Sequence, residues 1–191
     1  MLSDVAKDKS NNTARNVIES SGPDTKDALK PMTRARSIAA RRLRWDELFE
    51  VETPEKWTCS EENGVVSFFD PQSGVGALQV SFARRPETTV PDERHTSALA
   101  QQFALDRGWN VKDSEILRYE IAGAPVSEFS FIEAQKSRKY WCVWHVASHE
   151  RIAFITYTCA AEDAEVEKEE RTGIVQSFRW LSGDNPRQTT N

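Results

Sequence analysis

The stretch "KYWCVWHVASHERIAFITYTC", residues 139–159, carries two of the chain's three cysteines and two of its three histidines within twenty-one residues. It reads as a metal centre, as a Cys–His catalytic pair, or as a hairpin whose core includes those side chains. Strand geometry separates these readings. β-prone residues run on both sides of "SHER" at 148–151, which has the composition of a turn. If Ser148 pairs with Arg151, the numbers of every cross-strand pair sum to 299. The two-residue side-chain period then places Tyr140, Cys142, Trp144 and Val146 on one face, with Ala153, Ile155, Tyr157 and Cys159. Trp141, Val143, His145 and Ala147 take the other face, with Ile152, Phe154, Thr156 and Thr158.

Cys142 and His145 therefore project from opposite sides of the sheet, and a register slip does not change that. His149 sits in the turn, about 20 Å along the strand from Cys142 at roughly 3.3 Å per residue. No tetrahedral metal shell and no Cys–His nucleophile can be gathered without breaking the hairpin. Cys142 and Cys159 share a face as diagonal neighbours, within conceivable reach of a disulfide, and are read as two buried thiols acting as small hydrophobes. Both faces are apolar at mid-strand, which predicts central strands covered on both sides by the chain's two long helices.

Outward from the hairpin, residues 45–138 alternate strands and turns around one helix. Asn63-Gly64 is a type I′ hairpin signal, because both turn positions need positive φ. Asp70-Pro71 with Ser73-Gly74 marks the next turn. Leu78, Val80 and Phe82 share one side of a half-buried strand, and Leu117, Tyr119 and Ile121 one side of another, after which Gly123 turns the chain. Between these strands "DERHTSALAQQFALDRG" reads as a helix, with Asp92 as its cap, Leu99 and Phe103 on one face and Gly108 as the stop. Past the hairpin, "AEDAEVEKEERTGIVQSFRWL" predicts a long helix burying Val166, Ile174, Val175 and Phe178, its acidic first turn matching the helix dipole.

The ends differ in kind. Residues 1–32 are rich in Ser, Asn, Asp and Lys and are expected to be a disordered polar tail; residues 183–191 are expected to be a flexible C-terminal tail. Residues 33–44 form an arginine-rich lead-in, expected to be a short helix capped by Thr33. Residues 1–44 carry ten Lys or Arg against five Asp or Glu, whereas residues 45–191 carry fifteen against twenty-five. An acidic body with a basic arm is not the pattern of a general nucleic-acid-binding domain. Arg34, Arg36, Arg41, Arg42 and Arg44 are the candidate contacts to a partner or an anion, weighed against a solvated lead-in folded back on the acidic body. No segment has the length and apolarity of a membrane span, and the N-terminus lacks the apolar core of a secretory signal, so the expected location is cytoplasmic.

Catalytic motifs are absent. No GxSxG, Walker, HExxH or EF-hand pattern occurs, and "GVG" at 74–76 precedes a strand rather than a helix, so it reads as a turn. His95, beside Asp92 and Glu93, is read as an exposed helical histidine rather than an acid–base group. The expectation is no catalytic residue, cofactor or metal.

The order of elements resembles the Mog–PsbP-like family, which includes the Ran-binding import factor Mog, the photosystem II extrinsic protein PsbP and many small bacterial proteins. The resemblance covers about residues 45–182 and rests on "ETPEKWTC", "GALQVSF", a helix, "AGAPVSEFSF", "YWCVWHV", "AFITYTCAAEDAE" and the closing "IVQSFRW". It implies an α+β fold: an α/β/α sandwich with a central, mainly antiparallel sheet flanked by helices. It also implies a protein-binding module, an adaptor or chaperone, with an unidentified protein partner; the chain is further expected to be non-enzymatic and a monomer or weak dimer. No functional residue carries over, and the arginine arm departs from PsbP, so a photosynthetic role is not expected. The competing functions are a nucleic-acid or anionic-surface tether through the arm, and an enzyme whose site the motifs do not reveal.

Overall fold

The hairpin of residues 139–159 has the register that the Ser148–Arg151 turn predicts. In the computed structural model, which describes residues 40–85, 90–134 and 137–181, Cys142 lies opposite Tyr157, Trp144 opposite Ile155 and His145 opposite Phe154. The Ser148 N–H donates to the Arg151 carbonyl at 2.8 Å and closes the turn.

In chain order the elements are β1 (Ala40–Trp45), β2 (Phe49–Pro54), β3 (Thr58–Glu62), β4 (Val65–Phe69), β5 (Gly76–Arg84), α1 (Glu93–Asp106), β6 (Leu117–Ile121), β7 (Ala124–Glu133), β8 (Lys139–Ala147), β9 (Arg151–Ala160), α2 (Lys168–Gln176) and β10 (Arg179–Trp180). A seven-stranded antiparallel sheet runs in the order β3-β4-β5-β9-β8-β7-β6, so the hairpin forms its centre. β1, β2 and β10 form a separate three-stranded sheet.

Local chemistry sets the turns. Asn63 and Gly64 adopt φ of 52° and 76°, as the hairpin signal requires. The Asp92 carboxylate caps α1 by accepting from the Arg94 and His95 N–H groups, and Gly108, at φ 69°, follows its end. Gly76 is required for another reason: a Cβ there would lie 2.4 Å from the Tyr157 hydroxyl, leaving no room for any other residue.

Two cores flank the large sheet. On one face α1 packs Ala100, Phe103 and Ala104 against Phe129 and Val143, joined by Trp109 and Ile116. On the other, Leu78, Val80, Val126, Trp144, Val146, Ile155 and Tyr157 meet Phe49 and Val51 of β2 and Ile174, Val175 and Phe178. Each fully buried large side chain of this kind contributes roughly 1.5–3 kcal/mol, so the two cores together supply most of the folding drive.

The α+β class, the antiparallel sheet and the helices on its two faces agree with the expectation, and the three-stranded sheet is an addition to one layer. One layer is α1; the other is composite, built from α2 and the three-stranded sheet. The long C-terminal helix is replaced by a single 3-10 turn at Ala161–Asp163, further turns and the nine-residue α2. Glu167 reaches back to Tyr157 and Gly76, which anchors the chain before α2 starts. Val166 is accordingly 62% exposed, whereas Ile174, Val175 and Phe178 are buried as predicted. The lead-in helix is also corrected over its described part: residues 40–45 are β1, pairing with β2 from Ala40↔Pro54 to Trp45↔Phe49. Leu43 and Trp45 pack against the core at strand spacing, which overrides the helix propensity of the arginine-rich run. Both terminal tails, with Thr33, Arg34 and Arg36, lie outside the described residues.

Candidate functional site

The histidines and cysteines that invite a catalytic reading are built into the scaffold. His145 is fully buried beneath α1, its ring 4.2 Å from that of Phe154. Its Nδ1 lies 3.4 Å from the Ser127 hydroxyl, while Nε2 has no hydrogen-bond partner among the described residues. Burial alone drives its pKa down to about 3, so it is neutral at physiological pH. Cys142 is buried on the opposite face, as the strand period requires, and burial with the nearby Glu128 carboxylate pushes its thiol up to about 12. A thiol held protonated in this way is a poor nucleophile. Cys159, on the same face as Cys142 and one ladder step away, is also a free buried thiol.

His95 belongs to a capping box. Its Nδ1 lies 2.6 Å from the Asp92 carboxylate at the start of α1. Hydrogen bonds from the His95 backbone and side chain hold the Asp92 carboxyl below the usual range. A cleft of about 420 Å³ at this helix end is bordered by Asp92, Glu93, Arg94 and Glu120, but His95 is not among the residues lining it. The cleft thus collects carboxylates without the imidazole. Among the described residues no three His, Cys, Asp or Glu side chains converge where a metal ion could sit, and no helix is long and apolar enough to cross a membrane.

Two buried polar clusters escaped the sequence reading. Glu167 Oε2 accepts from the Tyr157 hydroxyl at 2.7 Å and from the Gly76 N–H at 3.1 Å. Arg171, one helical turn on and only 2% exposed, lies 4.7 Å from the Tyr157 ring and 5.2 Å from that of Tyr140. Nearby, Lys56 bridges Glu170 at 2.8 Å and Asp70 at 3.5 Å, and the Trp57 indole N–H donates to Glu170 at 2.9 Å. Asp70 also accepts from the Ser73 hydroxyl and from the Gln72 and Ser73 N–H groups, which hold its pKa down at about 2. In sequence "EKEERTG" looks like an ordinary solvated helix face; only the fold turns three of its residues inward or onto the body.

The described members of the arginine arm are folded back on the domain. Arg41 donates to the Trp57 carbonyl at 2.6 Å, and Arg44 to the Asp46 carbonyl at 3.2 Å. Arg42 bridges Glu52 at 2.8 Å and lies 3.9 Å from Glu50, because the β1–β2 register places it opposite Glu52. These carboxylates raise the Arg42 pKa, chiefly through the Glu52 hydrogen bond.

Among the described residues, the large sheet extends beyond what covers it. α1 lies over β6, β7 and β8 and reaches Phe154 of β9 through Phe103. Further across that face, Ser60, Ser67, Gln79 and Thr156 form a cross-strand row with partly or fully exposed side chains. Trp141 and Thr158 mark the boundary between the covered and open parts.

No family model matches the chain, and neither does any curated protein. Among solved structures it is similar to the cyanobacterial PsbP (CyanoP) of Synechocystis, with a TM-score of 0.53 and 12% identity over 80% of this chain and 99% of that one. A crystal structure of a Bacteroides thetaiotaomicron protein gives a TM-score of 0.53 and 10% identity over 71% of this chain. The match spans 46% of that protein's length. At such identities the likeness is one of architecture, and the chain has a PsbP-like fold.

Proposed function

We propose that the domain is a non-enzymatic protein-binding module, an adaptor or chaperone acting in the cytoplasm. The observation that carries the reading is the half-open face of the central sheet, where ordered strands present uncovered side chains beyond the edge of α1. The exposed Leu117 and Ile132 on β6 and β7 add apolar contact area on the opposite face. The reactive side chains add weight: His145 is neutral and enclosed, Cys142 is enclosed and protonated, and His95 caps a helix. Affinity purification of the full chain from its native host tests the reading. A stoichiometric partner is expected, and reproducible failure to recover one removes the proposal.

The competing reading, an anion or nucleic-acid tether through Arg34, Arg36, Arg41, Arg42 and Arg44, needs an anion to displace Glu50 and Glu52 from Arg42. Deleting residues 1–44 would also delete most of β1, so charge reversal at Arg42 and Arg44 is the cleaner test. Unchanged salt-sensitive retention on a polyanion column would set aside a tether role for those two arginines.

A further inference from the structure

Where β8 and β9 begin and end, a crevice of about 250 Å³ opens between Arg138, Lys139, Trp141, Thr158 and Ala160. Its aromatic wall is Trp141, the outer member of an aromatic cluster. Trp109, 6% exposed, stacks on Phe131 at 4.8 Å and meets Trp141 at 5.3 Å, so Trp141 is the half-buried outer ring of a fixed assembly. The Trp141 indole N–H donates to Glu133 at 3.2 Å, which further sets its orientation. The rim is equally well held: Lys139 and Ala160 are ladder partners, and the Ala161 N–H donates to the Arg138 carbonyl at 3.0 Å.

Charge identifies the occupant. Residues 45–191 carry twenty-five Asp or Glu against fifteen Lys or Arg, so most of this body repels acidic chains. Arg138 and Lys139 are both exposed, and among the described residues neither forms an ion pair or side-chain hydrogen bond, although the β7–β8 register sets Glu133 opposite Lys139. Glu133 is the carboxylate bonded to the indole, and Arg107 is close enough to feel its charge. The crevice is smaller than the about 300–1,000 Å³ clefts that enclose drug-sized ligands, and suits one large side chain of a longer segment. A preorganised tryptophan beside exposed cations is the composition of an interface hot spot.

We propose that this crevice docks an acidic peptide segment of a protein partner, which lays an apolar side chain against Trp141 and sets carboxylates on Arg138 and Lys139. The proposal rests on the protein-binding reading and names the partner's chemistry. The full chain is panned against a phage-displayed library of short random peptides, and an enriched sequence is synthesised for fluorescence-polarisation titration. Enriched sequences are expected to pair Asp or Glu with a bulky apolar residue. The exposed double substitution R138E/K139E is expected to weaken binding by about tenfold or more, and added salt to weaken it as well. Trp141→Ala is expected to abolish binding; because it also thins the aromatic cluster, the charge reversal is the decisive arm. Enrichment of peptides without acidic residues, affinity unmoved by R138E/K139E, or no enrichment above the bare support would each overturn the proposal. A stoichiometric host partner retained equally by wild type and R138E/K139E would uphold the protein-binding reading while removing this site. Absence of a partner for both would remove the reading itself.

Discussion

The two faces of the central sheet bury polar groups by opposite means. Beneath α1, His145 sits among Phe103 and Phe154 with one weak contact to Ser127, and it is accommodated by remaining neutral. Beneath α2, Tyr157, Glu167 and Arg171 are enclosed together, a carboxylate holding a hydroxyl and a backbone N–H while a guanidinium lies over two rings. A solitary buried group makes stability depend on its protonation, whereas a connected set makes it depend on every member remaining present.

The largest effect expected from this contrast is acid sensitivity. His145 has its folded pKa depressed to about 3 from an ordinary 6.5, so its neutral form is favoured by folding. Its contribution is complete above pH 6.5 and is lost as pH falls toward 3, on the order of 5 kcal/mol in total. His145→Leu, of similar volume, is expected to unfold in urea much as wild type does at neutral pH and to lose less stability at pH 4. Parallel pH profiles for the two proteins would break the comparison.

Next in size is Glu167→Ala. It strands the Tyr157 hydroxyl and the Gly76 N–H, for a loss of about 3 kcal/mol at neutral pH by denaturant titration. A loss no greater than that of an ordinary surface substitution would show that the α2-face groups are not energetically connected.

A smaller effect, in a lower pH window, is expected at Asp70. Its folded pKa is depressed from 3.8 to about 2, so its stabilisation holds above pH 3.8 and disappears as pH falls through about 2. Asp70→Asn is expected to lower the urea midpoint modestly at pH 5 and to converge on wild type at the acid end. The smallest effect belongs to the outer face of the three-stranded sheet. Glu52→Gln breaks an exposed pair with Arg42, and its melting temperature is expected to match wild type within error. A clear drop there would show that β1 is held by charge rather than by Leu43 and Trp45.

How much of this was legible in sequence depended on the distance over which each interaction operates. Strand parity is local, so the separation of Cys142 from His145 and the diagonal relation of Cys142 to Cys159 followed from numbering alone. The Asn63-Gly64 turn and the Asp92 cap were legible because each involves neighbouring residues. The arginine-rich residues 40–44 read as helix because nothing adjacent revealed that Leu43 and Trp45 would find an apolar surface opposite. Glu167 and Arg171 were not among the helix positions expected to be buried, because their partners come from strands distant in the chain.

The candidate docking site divides in the same way. Trp141 and Thr158 were assigned to one face by periodicity, together with residues that α1 covers completely. Only the width of the sheet relative to α1 leaves Trp141 half exposed, and only the meeting of the two strand ends brings Arg138 and Lys139 around it. By itself the sequence determined the alternation of faces, the turns, the helix cap and the charge asymmetry between arm and body, all properties of residues close together in the chain. The tertiary structure decided that the arm's end is a strand, that the last helix is short, which charges are buried and which cations stay exposed, because those outcomes depend on surfaces that meet only once the chain has folded.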